Sequence, residues 1–324
     1  MHEIKQLRQL VEEQLRNIDF PVHPASLYDP IKYMLDIGGK RMRPLLLLMG
    51  CDALNGDIYK AIYPAVGLEV FHNFTLLHDD LMDNAPMRRT KQTVHTKMNP
   101  KIAILSGDAM FVKACQLVMQ TDDIHIRPLL EIFNKTALEV CEGQQYDMDF
   151  ETSTNVSLHD YLQMIERKTA VLLGCSLKMG AIIANASDED AEHLYETGRN
   201  LGMAFQIQDD LLDLYGSEDQ FGKMPGGDIV ANKKTFLMLK AMELANEKQQ
   251  STLLNIFSDK SINDTERVQN VKAVFDSLNI KTHAEEAIDH FYSIAMNEWS
   301  KLDVDEKNKQ PLTNLAHSLR MRVA

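Results

Sequence analysis

The sequence contains only four cysteines, Cys51, Cys115, Cys141 and Cys175, in 324 residues. No two stand in a Cys-x-x-Cys spacing and all lie in apolar, helix-patterned context, which argues for reduced core thiols over a disulfide framework or a zinc site. Long apolar runs are also missing. The longest, from Pro44, meets Asp52 well short of the roughly 20 residues that a membrane span requires. The stretch from His2 to Ile18 mixes both charges with apolar residues at helical spacing and lacks the apolar centre of a secretory signal.

Positive charge is in deficit as well: 34 lysines and arginines face 47 aspartates and glutamates, for a formal net charge of −13. A general affinity for nucleic acid or for an anionic membrane is therefore not expected, and any polyanion site must be a local concentration of basic groups. These absences together predict a cytoplasmic protein with no nucleic-acid partner and no stable membrane insertion. The 44% hydrophobic and 25% charged content is otherwise that of an ordinary globular chain.

Strand signals such as alternating β-branched runs and Asn-Gly hairpin turns are scarce. Instead, apolar residues recur three and four apart in segment after segment, broken by short punctuation at Gly38, Leu54, Ser106 and Ala184. The pattern predicts an all-α helical bundle, a single domain over residues 1–324, with a more polar and peripheral C-terminal part beyond Glu247. Ser157 opens a helix that runs into a very apolar segment suited to the bundle centre.

Within this helical pattern two acidic runs stand out, "LLHDDLMDNAPMRR" from Leu76 and "FQIQDDLLDLYG" from Phe205. Residues four apart share a helix face, so Asp79 aligns with Asp83, and Asp209 with Asp213; Asp80 and Asp210 stand beside them. Crowded carboxylates in apolar context repel and are costly to bury unless cations sit among them. All-oxygen ligands favour Mg²⁺, which takes one or two carboxylates, keeps water and completes its shell with substrate phosphate oxygens, so two facing sets could bracket a diphosphate. One such run alone is as well explained by a solvated helix face. Two in apolar context point to metal.

Diphosphate oxygens not bound by metal need basic partners. Lys40, Arg41 and Arg43 follow the Gly38–Gly39 pair, Arg88 and Arg89 follow the first acidic run, and Lys168, Lys223, Lys233 and Lys234 lie further on. "GGKRMRP" lacks the spacing of a phosphate-binding P-loop.

"GGKRMRP", "DDLMDNAPMRR", "RKTA" and "FQIQDDLLD", followed by "FGK" and "NKKT", occur in the order found in trans-isoprenyl diphosphate synthases, and the sequence resembles that family from about Lys40 to Thr235. The resemblance implies an all-α fold of the isoprenoid synthase type with a central apolar cavity, usually homodimeric. It implies an enzyme in which an allylic diphosphate loses its diphosphate, the carbocation is attacked by isopentenyl diphosphate, and proton loss completes a longer trans chain. It implies Mg²⁺, three ions to each site, held chiefly by Asp79, Asp83 and Asp209 with Asp80, Asp210 and Asp213 in support. By the same resemblance Arg88, Lys168, Lys223 and Lys233 hold the allylic diphosphate, with Thr169 and Gln206 beside it, and Lys40, Arg43, His72 and Arg89 bind isopentenyl diphosphate. Thr90 and Asn232 stand where the family often has glycine, without removing a charge or a ligand.

Product length depends on residues one or two turns before Asp79. The ring of Phe74, with Phe71 below it, blocks long products, whereas Thr75 is small where many relatives carry a second aromatic. A product of fifteen or twenty carbons is expected, geranylgeranyl diphosphate being favoured over farnesyl diphosphate. Two rival readings remain: a terpene cyclase, whose second metal motif usually differs and which needs no isopentenyl site, and a non-catalytic subunit of a heteromeric synthase, in which such motifs usually decay.

Overall fold

The computed structural model describes residues 2–216, 225–259 and 261–321. These residues form an all-α fold, with one two-stranded hairpin among its helices. Lys223 lies outside the described residues. No described helix is long and apolar enough to cross a membrane.

The chain divides into two compact units. Unit 1 comprises residues 1–136, 175–195 and 302–312. It begins with α1 (Ile4–Arg16), started by a Glu3–Gln6 capping box, and α2 (Ala25–Asp36). α3 (Met42–Ala53) is apolar nearly all round and is buried from Pro44 to Cys51, as expected of a central helix. α4 (Ile58–Met82) starts where the Asp57 carboxylate accepts from the Tyr59 amide at 3.0 Å. It is buried through Leu68, Val70 and Phe71, and the first acidic run forms its last turn.

Beyond α4, β1 (Met87–Arg88) pairs antiparallel with β2 (Lys91–Gln92). α5 (Val94–Lys97) and α6 (Pro100–Val118) follow; Asn99 caps α6 at the Ile102 amide and Pro100 occupies its first turn. The hairpin is the one piece of strand that the spacing of apolar residues does not announce. Its two turn residues, Arg89 and Thr90, have φ of 48° and 69°, the signature of a tight I′-type turn that ordinarily favours Asn-Gly.

Unit 2 comprises residues 137–174, 196–301 and 313–324. It takes the C-terminal half of α7 (Asp123–Thr152) and the short α8 (Leu158–Ile165), which Ser157 opens through a capping box with Asp160 as its sequence suggests. A single π-helical turn, Glu166–Ala170, links α8 to α9 (Val171–Ile183). Most of α10 (Asp188–Tyr215) also belongs to this unit. Its core joins Ile207 and Leu211 of α10 to Phe236, Phe275, Ile280 and Ala284. The C-terminal helices beyond Glu247 are therefore not peripheral, because their apolar stripes supply about a third of this core, from Leu253 to Ile288, despite a polar average composition.

Candidate active site

The last turn of α4 separates three aspartates by their position around the helix. Asp80 is 2% exposed, Asp79 is half-buried and Asp83 is exposed. Arg88 donates Nε to both Asp80 oxygens at 2.8 Å and Nη2 to Asp79 Oδ2 at 3.4 Å. Burial raises the Asp80 carboxyl against the opposing pull of Arg88. Asp80 thus ties the hairpin to α4, while Asp79 and Asp83 share the outward face.

The three cations after Gly38–Gly39 take different roles. Arg41, at φ 51°, turns inward: its Nη1 reaches Glu69 at 2.7 Å, its Nε reaches Glu12 at 2.9 Å and its Nη2 donates to the Leu35 carbonyl at 3.0 Å. Lys40 is exposed. Arg43 donates Nη1 to His72 Nε2 at 2.9 Å, and its buried Nε has no partner. Burial, with a further contribution from Arg89, lowers Arg43 to about 10, against Glu69. Burial and the charges of Arg43, Arg89 and Arg88 hold His72 well below its usual range, so the ring is neutral and accepts from Arg43.

Arg89 donates to the Gly38 carbonyl. Gly39 permits this approach, since a Cβ there would lie 2.6 Å from Arg89 Nη1. Arg43, His72, Arg88 and Arg89 consequently form one electropositive cluster in unit 1. Thr90 holds the hairpin in a left-handed conformation that a β-branched residue adopts only under strain. Thr90→Gly is therefore expected to raise stability by about 1 kcal/mol, read as a higher urea midpoint; a lower midpoint would show that the turn is not strained.

Below Asp79 the rings of Phe71, Phe74, Phe111 and Phe133 pack together. Phe74 lies 5.7 Å from Phe71 and 5.6 Å from Phe111, and Phe71 lies 5.2 Å from Phe133. His78 sets its edge on Phe74 at 4.8 Å and donates to the Ile104 carbonyl at 3.2 Å. Phe111 and Phe133 come from other helices, so spacing along α4 cannot reveal them. The Thr75 hydroxyl is turned back onto the His72 carbonyl at 2.8 Å.

In unit 2 the π-helical turn presents Lys168 and Thr169. A π-turn displaces side chains from the helical register and is frequent at functional sites. Gly143 lets α7 meet it backbone to backbone: a Cβ there would fall 2.2 Å from the Lys168 nitrogen. Lys168 Nζ pairs with Asp147 at 2.5 Å, a partner not anticipated from the sequence. Thr169 Oγ1 donates to Gln206 Oε1 at 3.2 Å, and Gln206 Nε2 donates to Asp210 Oδ1 at 3.4 Å. Asp210 also accepts from the Tyr161 hydroxyl at 2.5 Å and from the Phe236 amide at 2.9 Å.

Asp213 accepts from the Asp228 amide at 2.9 Å, and the exposed Lys233 lies 3.9 Å from Asp228. Asn232, at φ 55°, takes the left-handed turn for which asparagine is better suited than most residues. Burial, reinforced by the charge of Asp228, pushes Asp209 up to about 7. Burial likewise raises Asp210 to about 7 against its hydrogen-bond donors.

Arg320 is engaged with Asp289 at 2.8 Å and lies over the Tyr292 ring, with its carbonyl taken by Gln208. Among the described residues no three His, Cys, Asp or Glu side chains converge as a closed metal cage. The donors fit Mg²⁺ in another respect: they are carboxylates, few in each unit, and a dication beside Asp209 offsets both the burial and the like charge that raise it.

The polyprenyl synthetase family profile matches residues 24–277. A geranylgeranyl diphosphate synthase of Methanosarcina mazei is 39% identical over 243 residues, covering 74% of this chain and 75% of its own length. One from Sulfolobus acidocaldarius is 36% identical, covering 88% and 84%. The crystal structure of a geranylgeranyl pyrophosphate synthase superposes with a TM-score of 0.95 at 42% identity, covering 100% of both chains. With matches of this extent, and with the ordered basic and acidic motifs on the helices described, the chain belongs to the polyprenyl synthetase family of trans-prenyltransferases.

Proposed function

We propose that this enzyme elongates allylic diphosphates with isopentenyl diphosphate and stops chiefly at geranylgeranyl diphosphate. The observation that carries this reading is the cluster of Arg43, neutral His72 and Arg89. A buried guanidinium with an unpartnered Nε, crowded by Arg89, is the environment that an anion stabilises. A cyclase, which takes a single diphosphate substrate, has no need of it. Lys40, exposed at its rim, completes the isopentenyl diphosphate site.

In this reading Asp79, Asp83 and Asp209 are the main Mg²⁺ ligands. Asp80, Asp210 and Asp213 act behind them through the partners already described. Bound Mg²⁺ offsets the charge that develops on the departing diphosphate. Arg88, Lys168 and Lys233, with Lys223, hold the allylic diphosphate. Lys168 is kept in place by Asp147 until phosphate oxygens take over part of that contact. Thr169 and Gln206 orient the substrate at the bond that breaks. An apolar cavity keeps water from the carbocation, and the released diphosphate is placed to take the proton. No side chain needs to titrate.

Residues 1–324 act as one catalytic domain in this account, and the enzyme works in the cytoplasm as a homodimer. Leu105 and Val112 on α6 and Met119, which caps it, recur every seven residues and are 61%, 57% and 39% exposed, a stripe suited to a second copy of the chain.

The aromatic cluster sets product length. Because Phe111 and Phe71 stand behind Phe74, Phe74→Ala is expected to deepen the pocket and lengthen the main product by at least one isoprene unit, read by chromatography of the hydrolysed alcohols. An unchanged product would place the floor elsewhere. The function itself is tested by supplying isopentenyl and farnesyl diphosphates: diphosphate release that requires both substrates and is abolished by EDTA supports elongation. Release from farnesyl diphosphate alone would indicate a cyclase.

A further inference from the structure

We infer that Tyr161 is a positioning residue for prenyl transfer: with the Phe236 amide it fixes Asp210, and Asp210 in turn sets which end of the Gln206 amide faces Thr169. The inference rests on the prenyltransferase reading of the site and adds a role that the aspartate motif does not contain.

The Phe236 amide can only donate, and the ionised form of Asp210 only accepts, so in that form each contact to Asp210 has a definite sense. Its Oδ2 takes both the Tyr161 hydroxyl, at 2.5 Å, and the Phe236 amide, at 2.9 Å. That leaves Oδ1 for Gln206, 3.4 Å away. An acceptor at this position requires the Gln206 nitrogen, which turns the amide oxygen towards Thr169. The Thr169 hydroxyl then donates to that oxygen at 3.2 Å. Tyr161 and Asp210 are 2% and 6% exposed, so water does not replace a missing donor cheaply. Four residues from α8, the π-helical turn and α10 thus form one directional chain, in which Tyr161 reaches the substrate-facing pair only through Asp210. With both donors on its Oδ2, Asp210 serves as an anchor and not as a metal ligand.

Tyr161→Phe keeps the ring and removes the donor. Assayed as the full chain with isopentenyl and farnesyl diphosphates, it is expected to lower kcat by about 10²-fold, the scale on which misplacement of reacting groups acts. KM for both substrates and the Mg²⁺ concentration giving half-maximal rate stay within about twofold, a small ground-state effect beside that loss. Asp210→Asn is the second variant, in case the first folds poorly. Its single side-chain oxygen goes to Tyr161 and Phe236, so its amide nitrogen meets Gln206 and forces that amide to turn. The same loss in kcat is expected at an unchanged Mg²⁺ requirement. The double variant should be no slower than the worse single one, because both act through one path. Wild type assayed in parallel reads the prenyltransferase assignment itself, so a loss confined to the variants belongs to this chain of contacts. Either of two results overturns the inference: an unchanged kcat in a folded variant, or a raised Mg²⁺ requirement in Asp210→Asn, which would make Asp210 a ligand.

Discussion

Asp209→Asn is expected to lower kcat/KM by about 10³-fold at saturating Mg²⁺ while leaving the protein folded. Asp209 sits half-buried on α10, and desolvation together with the charge of Asp228 lifts it to about 7. A carboxylate kept at that cost has a use for its charge. Asparagine has nearly the same shape and no charge, so it removes a metal ligand and the penalty together. The variant should therefore lose activity and, in EDTA, melt at a higher temperature than wild type at neutral pH, the usual trade between a strained site and stability. The sign follows from the raised carboxyl: its stabilising contribution is present at low pH and is lost as pH rises towards 7, and asparagine is exempt from that loss. Activity within tenfold of wild type would remove Asp209 from the metal site.

Arg41→Met is expected to destabilise the protein by about 3–5 kcal/mol, measured by urea denaturation, with little effect on substrate affinity in the fraction that remains folded. Arg41 and Glu69 are both buried, 2.7 Å apart, and Asn73 donates to the same Glu69 oxygen at 3.1 Å. Removing the guanidinium leaves a buried carboxylate with one weak donor, which is far worse than removing both charges. Arg41→Met combined with Glu69→Met should accordingly recover much of the loss. A single variant that costs less than about 1 kcal/mol, the scale of a surface ion pair, would contradict the buried-pair account.

Arg41 also shows where sequence reading runs out. "GGKRMRP" offers three cations within four residues, and no spacing rule tells which one turns inward. The backbone decides it: Arg41 is the left-handed residue that caps α3, so its side chain enters the protein while Arg43 points to His72. The helices themselves were legible, since apolar periodicity and Ser157 mark them locally. The acidic faces were legible for the same reason.

What was hidden is long-range. Tyr161 meets Asp210 across 49 residues, Lys168 meets Asp147 across 21, and Phe111 meets Phe71 only because α6 packs on α4. The Arg89–Thr90 turn was hidden for another reason, because neither residue is one that such a turn prefers. The polar C-terminal stretch was misread for want of a partner: Phe275 and Ile280 look isolated until unit 2 encloses them.

The central claim is most directly tested by incubating the purified chain with Mg²⁺ and isopentenyl diphosphate and, separately, dimethylallyl, geranyl and farnesyl diphosphates, then measuring product chain length. The account predicts elongation of all three primers to a common twenty-carbon end product, with the aromatic cluster below Asp79 as its stop. No elongation of any primer by folded protein would contradict it.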